Sequence, residues 1–220
     1  MHIRLILFAL MGILLSLTFN PTAASAQTPT PFSHEIRLLL HGTKTLVPTP
    51  EGSNRPSVGF AVWLIEPNLL DPTPQAQTTA GLRLASSTGW LELLGGGVFS
   101  PTTETPVAPV FDVRAFAAPA RHLHIFGEVS VYGDALYGFV QTDVSIRKSD
   151  GNVAAKLGVE VEGAKAWRGP GGFVAVGPHV IVPWGDHFTT VVALQVRGTH
   201  QPLGLPTPDL IGRLYAVIDF

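Results

Sequence analysis

Ionisable residues separated by even numbers of positions recur in three neighbouring stretches of this sequence. They are His122, His124, Glu128, Asp143, Arg147, Lys156 and Glu160. In an extended chain such residues point to the same side, so each stretch would present its charges on one face. A cluster of this kind would serve as a gate or selectivity site for a small polar solute, as a proton-sensitive switch through His124, or as a structural network of ion pairs.

Two kinds of reactive site can be tested against the same residues. His122 and His124 share a strand face, but a metal site needs a third ligand, and Glu128 lies one step beyond the nearest position. Nucleophilic catalysis needs a serine beside a histidine that a carboxylate holds. The sequence has no Gly-x-Ser-x-Gly segment and no phosphate-binding loop. We therefore expect no metal, no cofactor and no enzyme activity, with a triad assembled from separate strands as the open alternative.

Alternation with a period of two indicates that these stretches are β-strands. In residues 152–163 every second residue from Val153 to Val161 is apolar, while Lys156, Glu160 and Glu162 lie between them. A helix would scatter these charges around its circumference. Strands are predicted for residues 57–66, 79–87, 89–99, 109–118, 121–132, 135–147, 152–163, 172–182, 187–197 and 210–220.

The turn at Asp150-Gly151 predicts the register of one hairpin. These two residues suit a tight turn in which both central positions have positive φ. Pairing outward from the turn places Val144 beside Leu157 and Ser145 beside Lys156. Apolar residues then face apolar residues and polar residues face polar ones, a match that a one-residue slip would destroy.

A second turn, at Gly133-Asp134, brings the next strand into register. Pairing outward from it places His124 directly across from Asp143, and Lys156 lies diagonal to Asp143 on the following strand. Cross-strand neighbours of this kind are within side-chain reach. The sequence therefore predicts a charge cluster on one face of the sheet.

The last strand has an apolar face and ends on an aromatic carboxyl terminus. The residues of that face are Leu214, Ala216, Ile218 and Phe220. This strand resembles the closing strand of small Gram-negative outer-membrane β-barrel proteins. The resemblance implies that the barrel-assembly machinery recognises Phe220, that periplasmic chaperones escort the chain, and that outer-membrane lipids surround the folded protein.

The other end of the chain and the composition agree with export. Residues 1–26 are typical of a signal peptide, with Arg4, an apolar run from Leu5 to Phe19, and Ala24-Ser25-Ala26. The apolar run is shorter than the roughly 20 residues that span a bilayer as a helix. Charged residues make up 14% of the chain, against about a quarter in soluble proteins. The net charge of −2 gives no indication of a nucleic-acid partner.

The predicted fold is all-β, a closed antiparallel up-and-down transmembrane β-barrel over residues 57–220. Ten strands are favoured, because single-chain bacterial barrels have even numbers; eight and twelve are the alternatives. Residues 27–56 form an N-terminal segment, in which residues 33–48 would be a plugging or capping helix or an extra hairpin turning at His41-Gly42. Counted back from a periplasmic Phe220, every alternate connection is short and the opposite set is longer, except for the short turn at Gly133-Asp134; this pattern is typical of outer-membrane barrels.

These features predict an outer-membrane barrel without a catalytic role, either a narrow channel or a structural, surface-interacting barrel. We favour a lumen filled by ion pairs, because a barrel of eight to ten strands leaves little interior space. One alternative is a soluble periplasmic barrel that binds an apolar ligand inside. Another is a barrel-embedded lipid hydrolase. Aromatic residues near strand ends are candidates for interfacial girdles; they include Trp63, Tyr132, Trp184 and Phe188.

Overall fold

The computed structural model describes residues 32–50, 55–71, 75–101, 106–147, 151–167, 171–200 and 208–220. The predicted signal peptide lies outside these residues. The described chain consists of eleven β-strands joined by turns and loops. In chain order they are β1 (Phe32–Val47), β2 (Ser57–Glu66), β3 (Ala76–Ser86), β4 (Gly89–Phe99), β5 (Val107–Ala120), β6 (Leu123–Tyr132), β7 (Ala135–Arg147), β8 (Val153–Ala166), β9 (Gly172–Pro183), β10 (Phe188–His200) and β11 (Pro208–Asp219).

The strands form a closed barrel, as predicted, but eleven strands close it rather than ten. Each strand pairs with the next in antiparallel fashion. An odd number then places the first and last strands in parallel, and β1 pairs with β11 from Phe32↔Leu210 to His41↔Asp219. The expectation of an even number was therefore wrong, and the barrel begins at Phe32 rather than at residue 57.

The additional strand comes from the segment for which we considered a helix or a hairpin. Residues 32–47 form one strand of 16 residues, and Gly42 lies within it instead of in a turn. Glu35, Arg37 and His41 face the interior, while Ile36, Leu38 and Leu40 face outward. In the sequence the run Leu38-Leu39-Leu40 hides this alternation. Leu39 faces inward like the charged residues, but it lines an internal cavity and is apolar.

The two central hairpins have the register that their turns predicted. His124 pairs with Asp143 between β6 and β7. Val144 pairs with Leu157, and Ser145 with Lys156, between β7 and β8. Gly133 and Gly151 both have positive φ, at 55° and 85°, which explains why these turns require glycine.

The two edges of the barrel differ in their connections. At the turn rim lie the turns at 87–88, 121–122 and 184–187, the facing ends of β7 and β8, the end of β1 with the start of β2, and Phe220. At the loop rim lie the described ends of β2, β4, β8 and β10, the tight turn at 133–134, and the start of β1. The predicted alternation of short and long connections holds with one exception at each rim.

The side chains are arranged with apolar residues outside and charged residues inside. Large apolar residues are exposed over the outer wall, among them Phe60, Leu64, Leu82, Leu93, Phe111, Val144, Leu157, Val176, Val192, Leu194 and Leu214. Charged residues are almost fully buried inside, among them Glu92, Asp112, Arg114, Glu160, Glu162 and Arg213. This is the reverse of a soluble barrel with an apolar interior.

Exposed aromatic side chains lie near both rims. Those at the loop rim include Phe32, Phe99, Phe111 and Trp167, and those at the turn rim include Phe60, Trp184, Phe188 and Phe220. Of the residues that we considered for girdles, Trp184 and Phe188 are exposed. Trp63 is instead buried inside, where its indole bonds Glu92, and Tyr132 faces inward beside Tyr137.

The backbones of the neighbouring strands β9 and β10 approach each other closely at Gly177 in β9. A Cβ atom at this position would overlap the carbonyl oxygen of Leu194 in β10. The β9–β10 ladder skips Gly177 and Pro178 and resumes at Val176↔Val196. Proline lacks a backbone N–H, and glycine permits the close approach beside it.

Candidate functional site

The loop-rim half of the lumen holds three arginines and three glutamates, here called the Arg–Glu network. Its members are Glu35, Arg37, Glu160, Glu162, Arg197 and Arg213. The buried carboxylate of Glu162 accepts hydrogen bonds from Arg37 Nη1 at 3.2 Å and from Arg213 Nη2. The hydroxyl of Tyr137 donates to the same carboxylate at 3.2 Å. Equal numbers of opposite charges offset the cost of removing them from water.

The Arg–Glu network joins strands that are not direct neighbours. Arg37 lies on β1 and Glu162 on β8, and β9, β10 and β11 separate them around the barrel. Glu35 adds further bonds, accepting from Arg213 Nε at 2.7 Å and from Arg197 Nη2 at 2.6 Å. The network therefore joins β1, β8, β10 and β11 on the lumen side of the wall.

His41 connects several strands in the turn-rim half of the lumen. Its Nδ1 lies 2.8 Å from Asp219 Oδ1, and its Nε2 lies 3.2 Å from Glu92 Oε1. The imidazole stacks on Trp63 with ring centroids 4.0 Å apart, and the Trp63 indole donates to Glu92 at 2.7 Å. Arg83 also pairs with Glu92. These contacts join β1, β2, β3, β4 and β11.

Arg114 occupies the other face of Trp63, with its Cζ 4.3 Å from the ring centroid. Its Nε donates to Asp112 at 2.7 Å and its Nη2 to Glu128 at 3.2 Å. The Ser130 hydroxyl lies within hydrogen-bond distance of both carboxylates, at 3.0 and 2.9 Å. The guanidinium is thus stacked and charge-compensated, which accounts for its complete burial.

A cavity of about 420 Å³ lies in the turn-rim half of the lumen. It extends from Thr43 and Phe220 at the turn rim to Arg37, at the edge of the Arg–Glu network. The aromatic side chains that line it include Trp63, Trp90, Phe126, Tyr137, Phe139 and Tyr215. Its size falls within the range of small-molecule sites.

The residues of the predicted cluster lie in several places. Glu160 belongs to the Arg–Glu network, Glu128 pairs with Arg114, and His124, Asp143 and Lys156 lie together at the turn-rim end. His122 and Arg147 do not join any of these groups.

His122 is exposed in the turn that precedes β6. Arg147 is exposed beyond a bulge, where its Nη1 donates to the Gly151 carbonyl. Both lie at strand ends, where the alternation between inside and outside stops.

Asp143 has two partners at this end of the lumen. Its Oδ1 lies 3.8 Å from His124 Nδ1 and 4.0 Å from Lys156 Nζ. The other imidazole nitrogen, His124 Nε2, lies 3.2 Å from the hydroxyl of Ser145. The edge-on ring of Phe116, 5.8 Å away between centroids, supports the imidazole. A serine, a histidine and an aspartate are thus connected in that order.

Sequence reasoning missed the interior residues of β1 and several that bond them. Glu35, Arg37 and His41 lie in the segment that had no assigned strand, and Glu92 and Arg83 alternate with leucines in strands already predicted. Period-two alternation from Glu35 to His41 is the signal that would have revealed them.

Comparisons with known proteins give no relatives for this chain: no family model, no curated protein and no solved structure matches it. In the described residues no group of three or more metal-ligating side chains is placed to hold a metal ion. The same residues contain no helix long and apolar enough to cross a membrane.

Proposed function

We propose that the protein is an outer-membrane β-barrel with a non-conducting lumen. The observation that carries the proposal is the apolar outer wall around a charged interior. In water that wall would expose a large apolar surface, which soluble monomers rarely do. In a bilayer the closed sheet satisfies the backbone hydrogen bonds while the wall contacts acyl chains.

The dimensions and the rims support this placement. The shortest strands, β2 and β6, have 10 residues, and about 9–11 residues suffice to cross a membrane as a tilted strand. Aromatic side chains near both rims are typical of interfacial girdles. Short turns and the terminal Phe220 favour the turn rim as the periplasmic side.

A structural barrel is favoured over a narrow channel because the buried Arg–Glu network occupies part of the loop-rim half of the lumen. Its hydrogen bonds join β1 to β8 inside the barrel, and each one reduces the space open to an ion. On this view the cavity is a vestibule reached from the periplasm. The soluble alternative loses support, since its apolar ligand would meet the buried charges of Glu92, Arg114 and Glu162.

The test combines membrane fractionation with gel mobility and conductance. The protein should appear in the outer-membrane fraction and migrate differently before and after boiling in detergent. Folded protein in planar bilayers should give no porin-like steps. Recovery in the soluble periplasmic fraction without a boiling-dependent shift would contradict the membrane placement, and steady conductance would contradict the closed lumen.

A further inference from the structure

The geometry points to a hydrolytic site for carboxylic esters inside the barrel, with Ser145 as nucleophile, His124 as general base and Asp143 as the residue that positions the imidazole. Ser145 Oγ lies 3.2 Å from His124 Nε2, within the distance over which a base can take a hydroxyl proton. Asp143 Oδ1 lies 3.8 Å from Nδ1, on the opposite side of the ring. Each imidazole nitrogen thus faces the partner that nucleophilic activation requires.

Burial supports the pairing of His124 with Asp143. Nδ1 of the histidine and Oδ1 of the aspartate are both buried, and neither has a hydrogen-bond partner among the described residues. Catalytic contacts of this kind are often longer before substrate binds. An approach of less than 1 Å would convert the 3.8 Å contact into a charge-assisted hydrogen bond.

The strands place these three residues rigidly. Asp143 and Ser145 are successive inward positions on β7, and His124 faces Asp143 from β6. Lys156 lies directly across from Ser145 on β8, and its ammonium group would stabilise the negative oxygen of a tetrahedral intermediate.

The reaction is the ordinary two-step hydrolysis of an ester by water. Ser145 Oγ bonds to the carbonyl carbon as His124 takes its proton, and the C–O bond to the alcohol breaks as that proton passes to the leaving oxygen. Water then attacks the acyl-serine, giving its proton to His124, and the carboxylic acid leaves as the proton returns to Ser145. One ester and one water yield one acid and one alcohol.

The lumen determines which esters fit. Phe126 and Gln141, the next inward residues after His124 and Asp143, line the cavity of about 420 Å³. Its aromatic walls suit a short apolar or aromatic acyl group. Ser145 faces the lumen, whereas its neighbours Val144 and Ile146 are exposed on the outer wall. Ser145, His124 and Asp143 lie on the turn-rim side of Phe126 and Gln141, so a small water-soluble ester would enter at that rim, whereas a phospholipid in the bilayer would face Val144 and Ile146.

The test uses the full-length mature barrel, folded in detergent and verified by its boiling-dependent gel shift. A fluorophosphonate probe should add covalently to Ser145, detected by peptide mass spectrometry, and 4-nitrophenyl butyrate should be hydrolysed. Ser145→Ala should abolish both signals, and His124→Gln should slow hydrolysis about 100-fold or more. Ser130→Ala is the matched control, because Ser130 is also buried and inward-facing but bonds only carboxylates; it should retain both signals.

Three further variants separate a positioning role from an effect on folding. Asp143→Asn should lower kcat while KM stays unchanged, and Lys156→Arg should retain more activity than Lys156→Met. Folded wild-type protein that is not labelled at Ser145, or equal hydrolysis by wild type and Ser145→Ala, would overturn the site. Ser145-dependent release of fatty acid from phospholipid vesicles, without turnover of 4-nitrophenyl butyrate, would overturn the assignment of a water-soluble substrate.

Discussion

The ring of Phe220, at the end of β11, lies against Gly42 of β1: a Cβ atom at residue 42 would come within 2.9 Å of ring atom Cε2. The main chain joins the strands at the same place. Phe220 N donates to the His41 carbonyl at 2.9 Å, and Thr43 N donates to the Phe220 carbonyl at 3.1 Å. Phe220, which is predicted to direct assembly, therefore also holds the end of β11 against β1, where these two strands pair in parallel.

We expect Phe220→Ala to slow assembly and lower the folded yield several-fold, because the variant loses both the aromatic terminus and the ring contact over Gly42. Pulse labelling followed by gel mobility without boiling measures the folded fraction over time. Phe99→Ala, which removes an aromatic side chain that is 50% exposed near the other rim, should assemble at the normal rate. Equal yields for wild type and Phe220→Ala would contradict the assembly role.

Removal of the Glu162 carboxylate should be strongly destabilising. Glu162→Ala removes the fully buried carboxylate that Arg37 and Arg213 share and leaves them Glu35, and breaking a buried ion pair from one side costs about 3–5 kcal/mol. Urea unfolding of the detergent-folded protein gives the free energy of unfolding. Arg147→Ala, at an exposed residue whose guanidinium donates to a turn carbonyl, should change it by less than about 0.5 kcal/mol.

A cation on the outer wall tests whether that wall faces lipid. Leu194 is 46% exposed at the middle of β10, and Leu194→Arg should lower stability in lipid vesicles by about 2–4 kcal/mol if this position is near the bilayer midplane. Asp186→Arg introduces the same side chain in the turn rim and should have little effect. Indistinguishable unfolding free energies for the two variants would favour a wall that faces water.

Gly177 should be irreplaceable even by alanine. The added methyl group would overlap the Leu194 carbonyl oxygen, so β9 and β10 would have to separate, at a cost of roughly 3 kcal/mol or more. Gly95→Ala is the control, since nothing lies within 4 Å of its Cβ position. The folded fraction after refolding and the urea midpoint compare the two variants, and normal stability of Gly177→Ala would show that the wall can relax there.

The β6–β7 and β7–β8 hairpins could be predicted because two independent features agreed on them, whereas the β9–β10 register has Val182 across from Thr190 and not from Phe188 as its three-residue turn suggested. Alternation defines the faces of β7 and β8, and the turns at Gly133 and Gly151 define how the strands align. The His124–Asp143 pair follows from that alignment. The strand ends were harder to predict. β6 begins at Leu123 and β7 has a bulge before Arg147. We had extended the alternation one or two residues beyond these points, which placed His122 and Arg147 inside.

The count of strands was missed because β1 has a weaker alternation than the rest. β1 pairs in parallel with β11, at the opposite end of the sequence. No turn in the sequence between neighbouring strands indicates this pairing. The contact of Ser145 with His124 was missed for a different reason. The predicted register already put these residues diagonal to one another, but the hydrogen bond depends on side-chain rotamers, which a one-dimensional pattern does not contain.

Because β1 and β11 pair in parallel, the two ends of the barrel domain lie at opposite rims. In an even-stranded barrel the first and last strands enter and leave on the same edge, so a short linker can join them in a circular permutant. Here Phe32 and Phe220 lie at opposite edges, and a linker between them would have to run the full height of the wall. In a membrane, a reporter fused ahead of β1 and one fused after Phe220 would therefore be found in different compartments.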